Sequence, residues 1–446
     1  MSWASDAVFY HVYPLGMFGA PKENDFASLP VSRLSRLHDW LGHWRELGID
    51  ALYLGPLFES SRHGYDTADL FKVDRRLGDN ALLKKLVEDL HQEGIRVVLD
   101  GVFHHVGRDF WAFRDLQEKG PGSAYCSWFS GVDFGHRSPY GDPFTYDAWN
   151  GAYDLVKLNL SNPAVREHLL QAVDFWITEF GIDGLRLDAA DSVDPSFLRE
   201  LAAFCRKRRP DFWLMGEVVF GDYSRIANGE TLDSTTNYEC YKGLFSSHND
   251  ANYFEIAYSL QRQFGKGGLY ENLSLYSFAD NHDVDRIASS LKKMEHLLPL
   301  HFLLFTMPGI PSIYYGSEWG VTGSLQDGEQ DILRPFLEGR PENPSCPELE
   351  KAIARLIAIR KEVPALRGGD YEQVLVSSEQ LAFRRKKGED WAIAAVNSSD
   401  RSKSIKLPAF GAEKLFDPLN GESFIVKNDQ ARITLPPCWG RVLVEG

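Results

Sequence analysis

Disulfide bonding, membrane insertion and polyanion binding each lack the residues they need in this 446-residue chain. Its five cysteines (Cys126, Cys205, Cys240, Cys346 and Cys438) are odd in number, widely scattered and free of any Cys-x-x-Cys pair. That usage excludes a disulfide scaffold and a structural zinc cluster, and it fits a reducing compartment. No stretch reaches the roughly 18 continuous apolar residues of a membrane span; the best, around 297–313, is broken by His301, Pro308, Gly309 and Pro311. Positive charge is also scarce, with 48 Lys and Arg against 63 Asp and Glu and a formal charge of −15. Phosphate backbones need concentrated Lys and Arg, and the one dense basic run, Arg206-Lys207-Arg208-Arg209, reads as a solvated helix end. Neither nucleic acid nor membrane is expected as a partner. The opening Met1-Ser2-Trp3-Ala4-Ser5-Asp6 carries no charged leader ahead of an apolar stretch, so a cytoplasmic location is expected.

What the chain does contain is an alternation of short apolar runs with longer helical patterns. Val8–Tyr13, Ala51–Leu54, Ile95–Leu99, Gly184–Leu187, Phe212–Met215, Leu275–Phe278 and Ile310–Tyr315 read as strands, with Asp233–Asn237 as a weaker eighth. Helical periods occupy Leu34–Leu47, Asn80–Gln92, Pro163–Glu179, Pro195–Lys207, Tyr253–Gln263 and His282–Phe305. Gly48 and Gly94 stand where a helix C-cap wants a left-handed residue, and Asn162-Pro163 and Asp194-Pro195 read as helix starts. Repeated βα units of this number favour a (β/α)8 TIM barrel over an open sheet. The rhythm breaks after the third strand, where a long aromatic, Gly/Pro-rich stretch is best read as a small inserted domain. Beyond residue 368 the pattern turns to strands and turns alone, which predicts a C-terminal all-β sandwich domain. The expected division is residues 1–105 and 160–368 for the catalytic barrel, 106–159 for the insertion and 369–446 for the C-terminal domain.

A barrel of this kind works at the C-terminal ends of its strands. Reading the residues just past each apolar run gives His63-Gly64-Tyr65-Asp66, Asp100, His104-His105, Arg186 with Asp188, Glu217, and Asp280-Asn281-His282-Asp283. A single Asp after a strand is ordinarily a helix cap. Four strands aiming acids at one mouth is another matter, because crowded carboxylates repel and a merely stable barrel would avoid them. The chain has no phosphate-cradling glycine loop and no cysteine or triad-like serine motif. Glycoside hydrolysis is the reaction that needs two carboxylates in different protonation states across one bond.

The same residues resemble a known family. Asp100-Gly101-Val102-Phe103-His104-His105, Gly184-Leu185-Arg186-Leu187-Asp188-Ala189-Ala190, Gly216-Glu217-Val218 and Phe278-Ala279-Asp280-Asn281-His282-Asp283 look like the four successive signature regions of the α-amylase family of glycoside hydrolases. His63-Gly64-Tyr65-Asp66-Thr67 and Gly309-Ile310-Pro311-Ser312-Ile313-Tyr314-Tyr315-Gly316 support it. Val156-Lys157-Leu158-Asn159 leans toward the neopullulanase and cyclomaltodextrinase branch, which acts on oligosaccharides inside cells. The resemblance implies Asp188 as nucleophile, Glu217 as acid and base, and Asp283 as the third catalytic carboxylate, holding sugar hydroxyls. It implies Tyr65, Asp100, His105, Arg186 and His282 as substrate-binding residues, with Arg186 keeping Asp188 ionised. An oligosaccharide substrate, a retaining α-1,4 hydrolase, and a monomer or homodimer follow; transfer to a sugar or glucosyl isomerisation on the same triad stays open. A catalytically dead barrel would be expected to have lost one of the three carboxylates.

Two departures from the pattern matter. Family members often carry an Asn calcium ligand where this chain has His104, and imidazole suits a hard cation poorly. No cofactor is therefore expected, no metal-ligating residue is assigned, and calcium at the usual site is doubtful; Asp133, Asp142 and Asp147 read as solvated loop acids. Asp191-Ser192 stands where many members have Lys-His, which favours short maltodextrins over extended polymer.

Overall fold

The computed structural model describes residues 2–446. Eight short parallel strands form the barrel: β1 (Phe9–Val12), β2 (Ala51–Leu54), β3 (Arg96–Gly101), β4 (Gly184–Leu187), β5 (Trp213–Gly216), β6 (Ser234–Thr235), β7 (Tyr276–Phe278) and β8 (Ile310–Tyr314). The sheet runs in the order β6-β5-β4-β3-β2-β1-β8-β7. It closes where Thr236 bridges Tyr276 in parallel and the Asn237 N–H donates to the Tyr276 carbonyl at 2.8 Å. The weak eighth strand of the sequence is thus the closing strand, cut to two residues. Strand interiors are buried on both faces, as a parallel barrel requires.

Helix ends follow their sequence signals. Asn162 and Asp194 accept backbone N–H groups of the first turns of Pro163–Phe175 and Pro195–Arg208, and Gly48 caps Leu41–Leu47 at φ 84°. The span expected as one helix from His282 to Phe305 is instead a loop, a four-residue turn at Ile287–Ser290 and a helix at Leu297–Thr306. The loop forms because its backbone groups bond elsewhere: the Asp283 N–H donates to the Asn281 side chain and the Arg286 N–H to the Gly323 carbonyl. Three helices not expected from the sequence are Trp111–Lys119, Tyr238–Asn249 and Leu349–Glu362.

Between β3 and the helix at Pro163 the chain builds its own three-stranded sheet from His105–Gly107, Ala148–Trp149 and Ala152–Lys157. The hairpin Phe58–Ser60/Thr67–Val73 carries His63-Gly64-Tyr65-Asp66 at its tip. Gly64 sits there at φ 90°, and a Cβ would lie 2.5 Å from Pro56, so only glycine makes this turn.

The C-terminal strands are β9 (Asp370–Val376), β10 (Gln380–Lys387), β11 (Asp390–Asn397), β12 (Lys403–Pro408), β13 (Lys414–Asp417), β14 (Glu422–Lys427), β15 (Gln430–Leu435) and β16 (Trp439–Glu445). They pair antiparallel in the order β9-β10-β11-β16-β13-β14-β15-β12. Fully buried Arg385 ties this domain to the barrel, donating to the Thr306 and Gly369 carbonyls at 2.8 Å. Beside it, Gly440 on β16 lies so close to Phe302 that an added Cβ would meet the ring at 2.4 Å. Gly440→Ala should therefore destabilise the chain by about 1–3 kcal/mol through overpacking, read as a lowered melting temperature. An unchanged melt would show that the two domains are not packed this tightly.

Candidate active site

Strand register alone assembles the chemistry. Arg186 on β4 pairs with Asp100 on β3 and with Met215 on β5, and Leu187 pairs with Gly216, so Asp188 and Glu217 leave neighbouring strands at the same level. The Arg186 guanidinium is buried among all three acids. Its Nη1 lies 2.9 Å from both Asp100 Oδ1 and Asp188 Oδ1, and its Nη2 lies 2.8 Å from Glu217 Oε2. Ala189 turns the chain immediately after Asp188 at φ 45°, a left-handed conformation costly for a residue with a Cβ. That turn lets the Ala189 N–H donate to Glu217 Oε2 at 3.2 Å. Tyr238 donates to the other oxygen of Glu217 at 3.3 Å and accepts from Asn281 at 3.0 Å.

Asp283 is held by a different set. His282 Nε2 lies 2.9 Å from Oδ2, while Arg334 Nη2 and Gln330 Nε2 both donate to Oδ1 at 2.9 Å. Burial pushes the Asp283 carboxyl up, but His282, Arg334 and Arg186 outweigh it and hold the carboxyl far below the usual range. Tyr65 stacks on His282 at 5.5 Å and donates to Asp100 Oδ2 at 2.9 Å. Burial, then the Asp100 charge, raises its hydroxyl well above the ordinary phenol range, so it remains a donor.

At Asp188 the expected lowering by Arg186 is present but is not the largest effect. Burial is the largest effect and raises its carboxyl well above the usual range; Arg186 opposes it, and Glu217 and Asp100 add to the rise. Asp188 and Glu217 share the one guanidinium.

All eight residues singled out in the sequence come together. Tyr65, His105, Asp188, Glu217 and Asp283 line one cavity of about 490 Å³, and Asp100, Arg186 and His282 lie buried under it. His63, Trp149, Tyr238, Gln330 and Arg334 are among the other lining residues. Trp149 is the member of the insertion's aromatic cluster that reaches the cavity, stacking on His105 at 6.0 Å. Tyr238, Gln330 and Arg334 were not anticipated; they come from a helix start and a loop with no local signature. His105 has no protein partner at either ring nitrogen, and burial, then His104, lowers it to about 3. It is a neutral imidazole facing Asp188, with Nε2 3.9 Å from Asp188 Oδ2.

The chain is similar to known proteins over most of its length. A family model described as the alpha amylase catalytic domain matches residues 34–338. A cyclomaltodextrinase of Geobacillus thermopakistaniensis (strain MAS1) is 32% identical over 462 aligned residues, covering 99% of this chain and 77% of that protein. Neopullulanase 2 of Thermoactinomyces vulgaris is 31% identical, with 100% and 78% covered. Among solved structures, the cyclic alpha-maltosyl-(1-->6)-maltose hydrolase from Arthrobacter globiformis, in complex with cyclic alpha-maltosyl-(1-->6)-maltose, superposes with a TM-score of 0.81. It is 27% identical, with 99% of each chain covered.

The site's neutral histidines make stability depend on pH. Burial, then Lys157, pushes His104 down to about 4, against about 6.5 in an unfolded chain. As pH falls through 6.5 the unfolded state takes up the proton first, so this contribution is full above pH 6.5 and is lost toward pH 4, by at most about 1.4 kcal/mol per pH unit. His104→Gln removes the titration, and His104 Nδ1 makes no hydrogen bond to lose. In denaturant unfolding, the stability gap between wild type and variant should shift in the variant's favour from pH 7 to pH 4.5. A gap that does not change with pH would contradict a buried neutral His104.

Proposed function

The chain belongs to the α-amylase family of glycoside hydrolases, and from that premise we propose that it cleaves α-1,4 bonds of short maltodextrins with retention, through a covalent glycosyl-Asp188 intermediate. The observation that carries the reading is the single Arg186 guanidinium shared by two carboxylates through adjacent nitrogens. That favours the short separation of about 5–5.5 Å used in retention over the roughly 6.5–9.5 Å of inversion.

In this mechanism Glu217 enters the first step as the proton donor. It delivers its proton to the glycosidic oxygen as that bond breaks, while Asp188 Oδ attacks the anomeric carbon. Glu217 then takes a proton from water, which attacks the same carbon and releases Asp188. Arg186 supplies fixed positive charge to whichever carboxylate is ionised at each stage. Asp283, kept anionic by three donors, accepts from sugar hydroxyls, and neutral His105 offers a donor or acceptor to another hydroxyl. Tyr65 and Trp149 give apolar faces for the pyranose. Transfer to a sugar acceptor is the second reading. Phe220, 84% exposed and three residues beyond the acid, is a platform on which an acceptor sugar can stack.

Calcium has no part in this reading. At the place where family members use an Asn oxygen, His104 offers an imidazole and lies close enough to Lys157 to feel its charge, a poor setting for a hard cation. In the insertion, Asp142 is committed to Arg108, which donates to both of its oxygens at 2.8 and 2.9 Å. Excess EDTA should leave the melting temperature unchanged, since a metal that is not bound cannot stabilise by mass action. A drop of many degrees would refute this.

The catalytic assignment has its own test. Asp188→Asn should nearly abolish turnover on every substrate. Glu217→Gln should lose about 10²–10⁴-fold on maltotriose yet far less on an aryl glycoside, whose leaving group needs little protonation. Equal losses for both variants on the aryl glycoside would rule out these roles.

A further inference from the structure

A second cavity of about 460 Å³ adjoins the catalytic one and shares with it only His63, Gln330 and Arg334. Its remaining wall comes from the loop after β1, including Tyr13 and Lys22, and from Glu329, Asp331 and Phe336. Two of the shared residues, Arg334 and Gln330, touch Asp283 rather than Glu217 and so place the junction on the Asp283 side of the catalytic pocket. The acid protonates the leaving group, so the leaving group lies on the Glu217 side. The second cavity therefore faces the other end of the substrate, beyond the sugar whose anomeric carbon reacts.

The three shared residues differ in freedom. Arg334 is fixed: it is buried, lies 4.4 Å over the Tyr13 ring, and donates to the His282 carbonyl at 3.0 Å and to the Tyr13 hydroxyl at 3.1 Å. His63 is anchored through its backbone, where the carbonyl accepts from Tyr13 at 2.5 Å and the N–H donates to Asp66 at 3.1 Å. Gln330 is exposed, and its side chain is held by one bond, to Asp283 Oδ1. Its neighbours on both sides, Glu329 and Asp331, pair with Lys22 at 3.7 and 2.5 Å. That ion pair ties the Gln330 loop to the loop after β1 across the second cavity. Both partners are largely exposed, so the tie is weak and screened by salt.

We propose that Gln330 is a specificity-determining partition: it stays on Asp283 when a single sugar fills the catalytic pocket and must leave Asp283 for the next sugar to enter the second cavity. The proposal rests on the hydrolase reading above. It adds that two-sugar glycones bear a penalty one-sugar glycones escape, and that the Lys22 tie contributes to it. The penalty is one hydrogen bond to a charged acceptor, worth about tenfold in specificity.

The test compares 4-nitrophenyl α-glucoside with 4-nitrophenyl α-maltoside in wild type, Gln330→Ala and Lys22→Ala. Any effect of the variants on Asp283 itself is common to the two substrates and cancels in their ratio of kcat/KM. Gln330→Ala should raise the maltoside-to-glucoside ratio about tenfold, through a lower KM for the maltoside. Lys22→Ala should move it the same way by less, and added salt should narrow the difference between wild type and Lys22→Ala. A ratio that stays or falls in Gln330→Ala overturns the proposal, as does a rise confined to kcat. Wild type that releases nitrophenol from neither substrate would instead overturn the hydrolase reading.

Discussion

Everything at the mouth of this barrel depends on one buried cation. Arg186 holds Asp100, Asp188 and Glu217 together, and without it the buried Asp100 and Asp188 would bear an uncompensated desolvation cost beside half-buried Glu217. One positive charge against three acids does not balance, and burial makes the shortfall expensive. Burial, with Glu217 and Asp100, accordingly raises the Asp188 carboxyl well above the usual range although Arg186 opposes the rise. The register of β3, β4 and β5 sets Arg186 level with Asp100 on one side and Met215 on the other, one residue short of where Asp188 and Glu217 leave their strands.

Asp283 is the counterexample within the same site. It stands just past β7, and its direct partners are its own: Arg334 from the loop after β8 and His282 from its own strand end. Two carboxylates in one cavity are therefore pushed in opposite directions, Asp188 upward and Asp283 downward. Environments that push neighbouring acids apart are how one site assigns different tasks to like groups.

The sequence made much of this legible because barrel geometry converts position in the chain into position in space. Any residue just past a strand faces the mouth, so Asp100, Asp188, Glu217 and Asp283 could be read without knowing how strands pair. Arg334, Gln330 and Tyr238 could not. They reach the site through a turn after β8 and through the start of a helix, where nothing in the local pattern says which way the chain returns. The helix Leu349–Glu362 is different, since its apolar period was present and unused. The false helix from His282 shows the opposite error, a helical period overridden by side chains that capture backbone groups. Propensity yielded there to the need to hold Asp283 still.

The unpaired nitrogens point the same way. His11 Nε2, His104 Nδ1, both nitrogens of His105 and His282 Nδ1 have no protein partner although they are buried. Each unmade hydrogen bond is costly, and buried nitrogens that do not line the cavity, such as His168 Nε2, His296 Nδ1 and Trp44 Nε1, are unpaired as well. Four of the first five belong to side chains at the strand ends around the catalytic cavity, while His11 lies beneath it, stacked on Tyr53 at 4.2 Å and edge-on to His282 at 5.1 Å. A polyhydroxylated ligand can satisfy groups that face the cavity, and His105 is the one that lines it directly. Binding energy is then available where the reacting sugar sits, on rings already fixed by packing, so little of it is spent on ordering the site.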